Sequence, residues 1–355
     1  MFIFRSQVLF LVFIYIFTLG ATSETMSGTA VEKYIQKKLK RNKKVLRINK
    51  KNLGDKGLAI LAQFPLVRSV RTLVLYKVNI SDKGIRALSE SPNLENLEAL
   101  YLEHNFITDK GVEIISRSRT FSNLKTLNLY HNQITDAGAK AIADSDTLTQ
   151  LRELNLNYNK INGSGAIELT HSKKLRQLHN IQLAYNPIEK SGKQAWKRFQ
   201  LMESFKHLHR NNRLDQVGKA LIGDFGFMVL LDFPFVSELE VLDLRNNSLT
   251  DEAVIALSHS QKFKSLISLN LSKNNITDAG AKALAKSQNL QGLRVLNLNF
   301  NRIGDEGAKS IAASPSLEKL ESLKLGQNKI GVEGARALNE SENLKNLTHP
   351  IFGFY

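Results

Sequence analysis

Leucine or isoleucine recurs every 27 residues along most of the chain and opens the same short pattern of apolar and polar positions. The pattern reads L-x-L-x-x-N-x-I, as at Leu127, Leu129, Asn132 and Ile134. Alternating leucines are typical of a short β-strand with one buried face. The spacing therefore predicts ten short strands, whose first apolar residues are Leu46, Leu73, Leu100, Leu127, Leu154, Ile181, Leu242, Leu269, Leu296 and Leu323.

The second half of each repeat predicts a short helix. In repeat 4 the segment Thr135–Gly138 reads Thr-Asp-Ala-Gly and leads into the small residues of Gly138–Ala143. Thr, Ser or Asp before such a run is typical of a helix N-cap, which accounts for the acidic residue in each repeat. Asn132 lies between strand and helix, where its amide can bond to backbone groups that the turn leaves unpaired.

Each repeat thus encodes one strand and one helix that cannot bury their apolar faces alone. Stacked copies share one continuous core, which explains why residues 126–145 and 268–287 have nearly the same sequence. The repeats resemble leucine-rich repeats of the ribonuclease-inhibitor type over about residues 45–348. The resemblance implies an α/β leucine-rich-repeat solenoid (horseshoe), with parallel β-strands on the concave face and helices on the convex face.

The regular spacing breaks once, because Ile181 and Leu242 are 61 residues apart, two periods plus seven. Asp215–Leu221 echoes the helix sequence of a degenerate repeat. We assign the surplus to Leu221–Val236, whose four phenylalanines form either irregular core or an exposed surface for a partner. The resulting segments are 1–23 (signal peptide or membrane anchor), 24–44 (basic N-terminal capping helix), 45–198 (repeats 1–6), 199–238 (degenerate repeat with apolar insertion), 239–348 (repeats 8–11) and 349–355 (C-terminal tail).

Both ends of the stack need a cover for their apolar core. Val31, Ile35 and Leu39 follow one another at four-residue spacing and predict a short helix that caps the first repeat. We expect the tail to cover the other end with Phe352 and Phe354.

The outward-facing strand positions predict a binding surface in repeats 2 to 6. Five of the eight tyrosines fall there, with two histidines among them. The residues are Tyr76, Tyr101, His104, Tyr130, His131, Tyr158 and Tyr185. The core needs no aromatic side chain at these positions, and tyrosine is enriched in binding hot spots because it is rigid with a polar tip. The alternative is that tyrosine occurs there for its β-propensity alone.

The net charge of +16 is concentrated in two segments. Residues 32–51 hold ten Lys or Arg against one Glu, and residues 189–219 hold eight against three acids. The first segment would attract an anionic lipid surface or nucleic acid. It lacks interleaved aromatic residues for base stacking, so we expect no specific nucleic-acid binding. A solvated helix face is the alternative. The residues concerned are Lys37, Lys38, Lys40, Arg41, Lys43 and Lys44.

Catalytic chemistry finds little support in the sequence. The chain has no cysteine, which excludes disulfides, cysteine zinc sites and thiol nucleophiles. It has no phosphate loop, GxSxG or HExxH motif. His104 and His131 lie one repeat apart, so their rings would be about 5 Å apart on neighbouring strands. A third metal ligand is missing. Glu103 is adjacent to His104 in sequence, but its side chain occupies a different position across the strands. We therefore predict no enzyme activity, no cofactor and no metal.

The N-terminal residues resemble an export signal. Arg5 precedes an apolar run, Val8–Leu19, and small residues would permit cleavage after Ser23. This predicts an exported or secreted protein. The basic residues that follow favour a second interpretation, a membrane anchor with the repeats on the cytoplasmic side. A third is translation from Met26, which would give a cytosolic protein.

Together these features predict a non-catalytic scaffold that binds a protein partner on the concave face. Repeat proteins of this class include ribonuclease inhibitors, Ran GTPase-activating proteins, immune receptors and bacterial proteins delivered into host cells. The simple Lys/Asn-rich repeats resemble those of intracellular bacteria and suggest an exported, host-directed protein. One alternative is a GTPase regulator, which would need an arginine directed into the nucleotide site. Another is attachment to an anionic membrane through the basic segment.

Overall fold

The computed structural model describes residues 25–348 and Ile351. The predicted signal segment and the tail phenylalanines lie outside the described residues. The chain forms two compact units, which divide between Lys197 and Arg198 within a long helix.

The first unit alternates helices with the strands of one six-stranded parallel sheet. Equivalent residues pair in register, so that Leu73 lies beside Leu46 on one side and Leu100 on the other. The elements are α1 (Gly28–Arg41), β1 (Val45–Asn49), α2 (Gly54–Gln63), β2 (Thr72–Tyr76), α3 (Asp82–Ser89), β3 (Ala99–Tyr101), α4 (Asp109–Arg117), β4 (Thr126–Asn128), α5 (Asp136–Ala143), β5 (Glu153–Asn155), α6 (Gly163–Thr170), β6 (Asn180–Gln182) and the start of α7 (Lys190–Arg210).

The second unit has a four-stranded parallel sheet built in the same way. Short 3₁₀ helices lead into many of the strands in both units, and one of them, Leu214–Ala220, packs against the first strand of this sheet. The elements after α7 are α8 (Gly223–Leu230), β7 (Val241–Asp243), α9 (Asp251–His259), β8 (Ser268–Asn270), α10 (Asp278–Lys286), β9 (Val295–Asn297), α11 (Asp305–Ala312), β10 (Ser322–Lys324) and α12 (Val332–Asn339).

Buried asparagines join successive repeats, as the sequence predicts. The Asn132 amide donates to the carbonyls of Leu102, Leu129 and Tyr130 at 3.0, 3.1 and 3.3 Å. Its oxygen accepts the Ile107 N–H of the preceding repeat at 3.1 Å. One side chain thereby bonds to four backbone groups at the turn, of which the Tyr130 carbonyl also accepts the His104 N–H at 3.0 Å.

A second link between repeats uses the acidic residue of the Thr-Asp-x-Gly segment. Thr135 is the N-cap of α5 and accepts the Ala137 N–H. Asp109, at the start of α4, accepts the N–H and hydroxyl of Thr135 at 2.8 and 2.6 Å, and the N–H of Gly138 at 2.9 Å. The prediction that the acidic residues are N-caps is therefore wrong. Each one instead holds the cap of the following helix.

The first repeat of the first unit and the last repeat of the second unit are covered differently. Helix α1 buries Val31, Ile35 and Leu39 against the first repeat, as predicted. At the last repeat of the second unit, Ile351 is buried and its carbonyl accepts the Leu325 N–H at 3.0 Å, directly after β10. The described part of the tail therefore continues the hydrogen bonding of the last strand.

The surplus residues do not lie where the sequence predicts. Ile222 donates its N–H to Asn247 at 2.9 Å, and Asp224 accepts from Thr250, the same links that join regular repeats. Helix α8 is therefore the regular helix of its repeat, and Phe227, Phe233 and Phe235 are buried core. The extra residues precede Ile222, where α7 extends to 21 residues. The helix predicted from Asp215–Leu221 is also wrong, because a 3₁₀ helix occupies the place of a strand there.

Within the described residues, no helix combines the length and the apolar character that crossing a bilayer requires. The predicted membrane anchor lies outside them.

Candidate functional site

Six of the seven predicted binding residues form a continuous row of rings on the strand face of the first unit. Ring centroids lie 5.2 Å apart for Tyr76 and His104 and 4.4 Å apart for His104 and His131. They lie 5.0 Å apart for Tyr130 and Tyr158, and 4.1 Å for Tyr158 and Tyr185. We call this set the aromatic row: Tyr76, His104, Tyr130, His131, Tyr158 and Tyr185.

In-register pairing brings these rings together, because neighbouring parallel strands lie about 4.8 Å apart. Tyr76 and Tyr130 come directly after the second leucine of their repeats. His104, His131, Tyr158 and Tyr185 follow at the next position, where φ is between 53° and 59°. We call the set of equivalent positions in successive repeats a column. The row therefore runs along two adjacent columns, the first and second positions after the second leucine.

The positive φ at the second column costs conformational free energy. Left-handed backbone favours glycine and asparagine, and a bulky residue there is strained by on the order of 1 kcal/mol. Four consecutive repeats nevertheless place a ring there. Tyr158 and Tyr185 are 38% and 72% exposed, so burial does not compensate the strain. Lys50, Lys77, Lys273 and Gln327 have the same left-handed φ at this position, so the strain belongs to the turn after each strand and is not specific to the rings.

Tyr101 does not join the aromatic row. It pairs with Val74 and Asn128 on the flanking strands, so it has no aromatic neighbour in its column. Among the described residues it makes no ring-to-ring contact.

Glu103 lies in the same column as Tyr76 and Tyr130, on the strand between them. Its Oε1 accepts from the Asn128 amide at 2.9 Å, whereas its Oε2 is buried without a hydrogen-bond partner in the described structure. Burial raises the pKa of the Glu103 carboxyl. The column thus carries a poorly solvated carboxyl group that the sequence did not single out.

Family models recognise the repeats in both units. A model for two copies of a leucine-rich repeat matches residues 122–166. A single-repeat model matches residues 93–116, 238–258, 264–285, 290–312 and 316–338. The chain is a leucine-rich repeat protein. The predicted α/β solenoid of parallel strands and helices is confirmed.

Solved structures similar to this leucine-rich repeat protein come from several organisms. An internalin from Listeria monocytogenes is 19% identical, over 94% of this chain and 91% of that one, with a TM-score of 0.25. The Arabidopsis receptor kinase HAESA, in complex with the peptide hormone IDA and the co-receptor SERK1, is 17% identical, over 77% of this chain and 36% of that one, with a TM-score of 0.24.

A third similar structure is the Rad7–Elc1 complex from yeast, 17% identical over 89% of this chain and 81% of that one, with a TM-score of 0.36. We draw no functional argument from these three similarities, because the TM-scores are low. No curated protein sequence matches the leucine-rich repeat protein.

The histidines of the aromatic row stack without forming a metal site. Burial, and then the charges of His131 and Lys77, lower the pKa of His104, so its ring is neutral at pH 7. The 4.4 Å separation of the two rings agrees with the predicted spacing. Across residues 25–348, no three histidine, aspartate or glutamate side chains lie close enough together to hold a metal ion.

The strand face of the second unit is polar, and its residues largely form hydrogen bonds with one another. Asn270 accepts from the N–H and hydroxyl of Ser272, and Asn299 accepts the Gly326 N–H at 2.7 Å. Phe300 is 49% exposed with the Lys273 ammonium 5.5 Å from its ring centroid. An extended row of rings is therefore a property of the first unit.

We expect Glu103→Gln to stabilise the protein at neutral pH. The folded state raises the pKa of Glu103, so the charged form destabilises it at pH 7, and the penalty disappears below the pKa of the unfolded chain. Because the carboxyl is only half-buried, water screens its charge and the gain is about 0.5 kcal/mol. Urea unfolding should show the gain at pH 7 and not at pH 4.

Glu153→Gln is the matched control, since Glu153 is exposed on β5. Equal effects of the two substitutions at pH 7 would show that Glu103 carries no special penalty.

Proposed function

We propose that this protein is a non-catalytic scaffold that binds a protein partner on the strand face of its first unit. The observation that carries the proposal is the aromatic row, six rings in contact across five consecutive repeats. Leucine-rich repeats generally build interaction scaffolds, which supports a binding role. A GTPase regulator would need an arginine directed into the nucleotide site, and no motif in this sequence assigns that role to an arginine.

The physical properties of the row suit a protein interface. Its rings contact one another, so little side-chain entropy remains to be lost on binding. Their exposed faces offer apolar area, while the tyrosine hydroxyls and histidine nitrogens provide hydrogen-bond groups at the rim.

We expect Tyr130→Ala combined with Tyr158→Ala to weaken partner binding by about 2 kcal/mol, roughly 30-fold. The two rings are in contact at 5.0 Å and lie within the row, so their removal interrupts it. The partner is first captured on the wild-type protein from lysates of source and candidate host cells. Its dissociation constant is then measured for each variant by surface plasmon resonance.

Phe300→Ala is the control for loss of an exposed ring. Phe300 occupies the column of Tyr158, with φ of 57° and 49% exposure, but lies in the second unit. The affinity of the Phe300→Ala variant for the partner should stay within twofold of that of the wild type. A partner that binds the double variant as tightly as the wild type would sink the proposal.

We also propose that the protein is exported and acts on a host-cell partner. The support is the apolar run and cleavage pattern of residues 1–23, which lie outside the described residues. Intact mass spectrometry of the protein from its native source should give a chain that begins at Glu24. A mature chain that retains Met1 would contradict cleavage.

A further inference from the structure

The first unit has a cleft with an apolar floor and a cationic rim, and none of its lining residues belongs to the aromatic row. It lies between the C-terminal turn of α1 and the 3₁₀ helix Pro65–Ser69, and its volume is about 690 Å³. Its apolar lining comes from Leu39, Pro65 and Leu66, and its cationic lining from Lys40, Lys43 and Arg68.

Within the part of the chain that the structure describes, the cations at this cleft have no acidic partner. In the described residues, no salt bridge involves Lys40, Lys43 or Arg68. Arg68 reaches only the amide oxygen of Asn93, at 3.5 Å. Elsewhere on the surface the pattern differs, since Arg71, three residues along, bridges to Glu98. Lys40 and Lys43 are both exposed, so the uncompensated positive charge faces solvent.

The apolar part of the cleft is also open to solvent. Leu66 is 51% exposed although it lies directly between the buried Val67 and the helix-initiating Pro65. Leu39 closes the floor as a core residue of α1. The cleft therefore combines an exposed apolar tip with unpaired cations around it. This is the composition of a surface that faces the head-group layer of a bilayer.

We infer that this cleft binds the surface of an anionic phospholipid membrane. Lys40, Lys43 and Arg68 contact the phosphate and carboxylate groups of the lipids, and Leu66 enters the layer between head groups and acyl chains. A nucleic acid fits less well, because single strands need stacking rings. The nearby Tyr34 is half-buried, and Lys38 lies over its ring at 5.3 Å.

Vesicle sedimentation of the full chain tests this inference. The readout is the ratio of binding to vesicles with about one-third phosphatidylserine over binding to pure phosphatidylcholine vesicles. If residues 1–24 contribute equally to binding of the two kinds of vesicle, that contribution cancels in this ratio. Two variants separate charge from insertion: Lys40→Gln/Lys43→Gln/Arg68→Gln removes the cations, and Leu66→Ser keeps them. All four side chains line the open cleft, so the fold is retained.

We expect the triple variant to lower the ratio at least tenfold and Leu66→Ser to lower it about threefold. A charge-matched control, Lys282→Gln/Lys286→Gln/Lys329→Gln, removes three exposed lysines of the second unit and should change it less than twofold. An equal loss in the control would overturn the site, since only net charge would matter. If the triple variant lowers the ratio and Leu66→Ser leaves it unchanged, the proposed lipid ligand is contradicted. That result would favour another polyanion such as nucleic acid.

Discussion

Asn132→Ala should lower the free energy of unfolding of the first unit by about 4 kcal/mol. The substitution removes one acceptor and three donor contacts at a side chain that is 7% exposed. Alanine leaves the Ile107 N–H of the neighbouring repeat without its partner, whereas the Leu102 carbonyl keeps the Asn105 amide at 2.9 Å. Water cannot replace the lost acceptor, because the Ile107 N–H is buried.

The measurement is urea unfolding followed by circular dichroism. Asn49→Ala is the control, because Asn49 is exposed at the end of β1, where its side chain faces solvent. We expect the control to stay within about 0.5 kcal/mol of the wild type. A loss of less than about 1 kcal/mol in Asn132→Ala would show that the buried asparagines do not hold the repeats together.

Gly218→Ala should destabilise the second unit by about 3 kcal/mol. Gly218 lies in the 3₁₀ helix that replaces a strand, against the backbone of β7. A Cβ atom there would lie 1.8 Å from the Asp243 carbonyl oxygen and 2.9 Å from its carbonyl carbon. Both atoms are backbone, so one chain must move away and the packing of Leu214–Ala220 on the sheet is lost.

Gly292→Ala separates this clash from the general effect of replacing glycine. A Cβ atom at Gly292 would lie 3.5 Å from the carbonyl oxygens of Lys264 and Leu266, an ordinary contact distance. Reduced entropy of the unfolded chain should make this variant neutral or slightly more stable. Differential scanning calorimetry of both variants checks the difference. Equal melting temperatures would show that the approach of Gly218 to β7 is not a constraint.

The repeats could be predicted almost completely from the sequence, because each physical requirement recurs. Buried leucines alternate along every strand, and the asparagine after them falls where backbone groups need a partner. The role of Asp109 was missed for a different reason. Its partner, Thr135, is one repeat away, and the pattern within a single repeat does not show which helix a side chain holds.

The sequence misplaces the surplus residues because two signals agree by chance, although the alternative that the phenylalanines are core agrees with the burial of Phe227, Phe233 and Phe235. Asp215–Leu221 resembles the repeat helix, and the phenylalanines after it resemble an insertion. The links of Ile222 and Asp224 to the following repeat were the better signal, since both positions match their equivalents 27 residues later. Counting backwards from Leu249 would have found them.

The aromatic row was predictable as a set, but two of its features were not. Strand register placed the rings in adjacent columns, which is why six of seven residues meet. The positive φ at His131 and Tyr158 depends on how the chain leaves the strand, and only Asn246 in the same column signals it. Glu103 was considered solely as a metal ligand. Its burial results from its neighbours, which a sequence pattern does not measure.

Photo-crosslinking tests most directly whether the strand face of the first unit holds the partner. Benzoylphenylalanine replaces Tyr158 in the aromatic row, or Lys110, which is exposed on helix α4 of the same unit. We expect the captured partner to crosslink from position 158 and not from position 110. Crosslinking from position 110 alone would place the partner on the helices and contradict the proposed function.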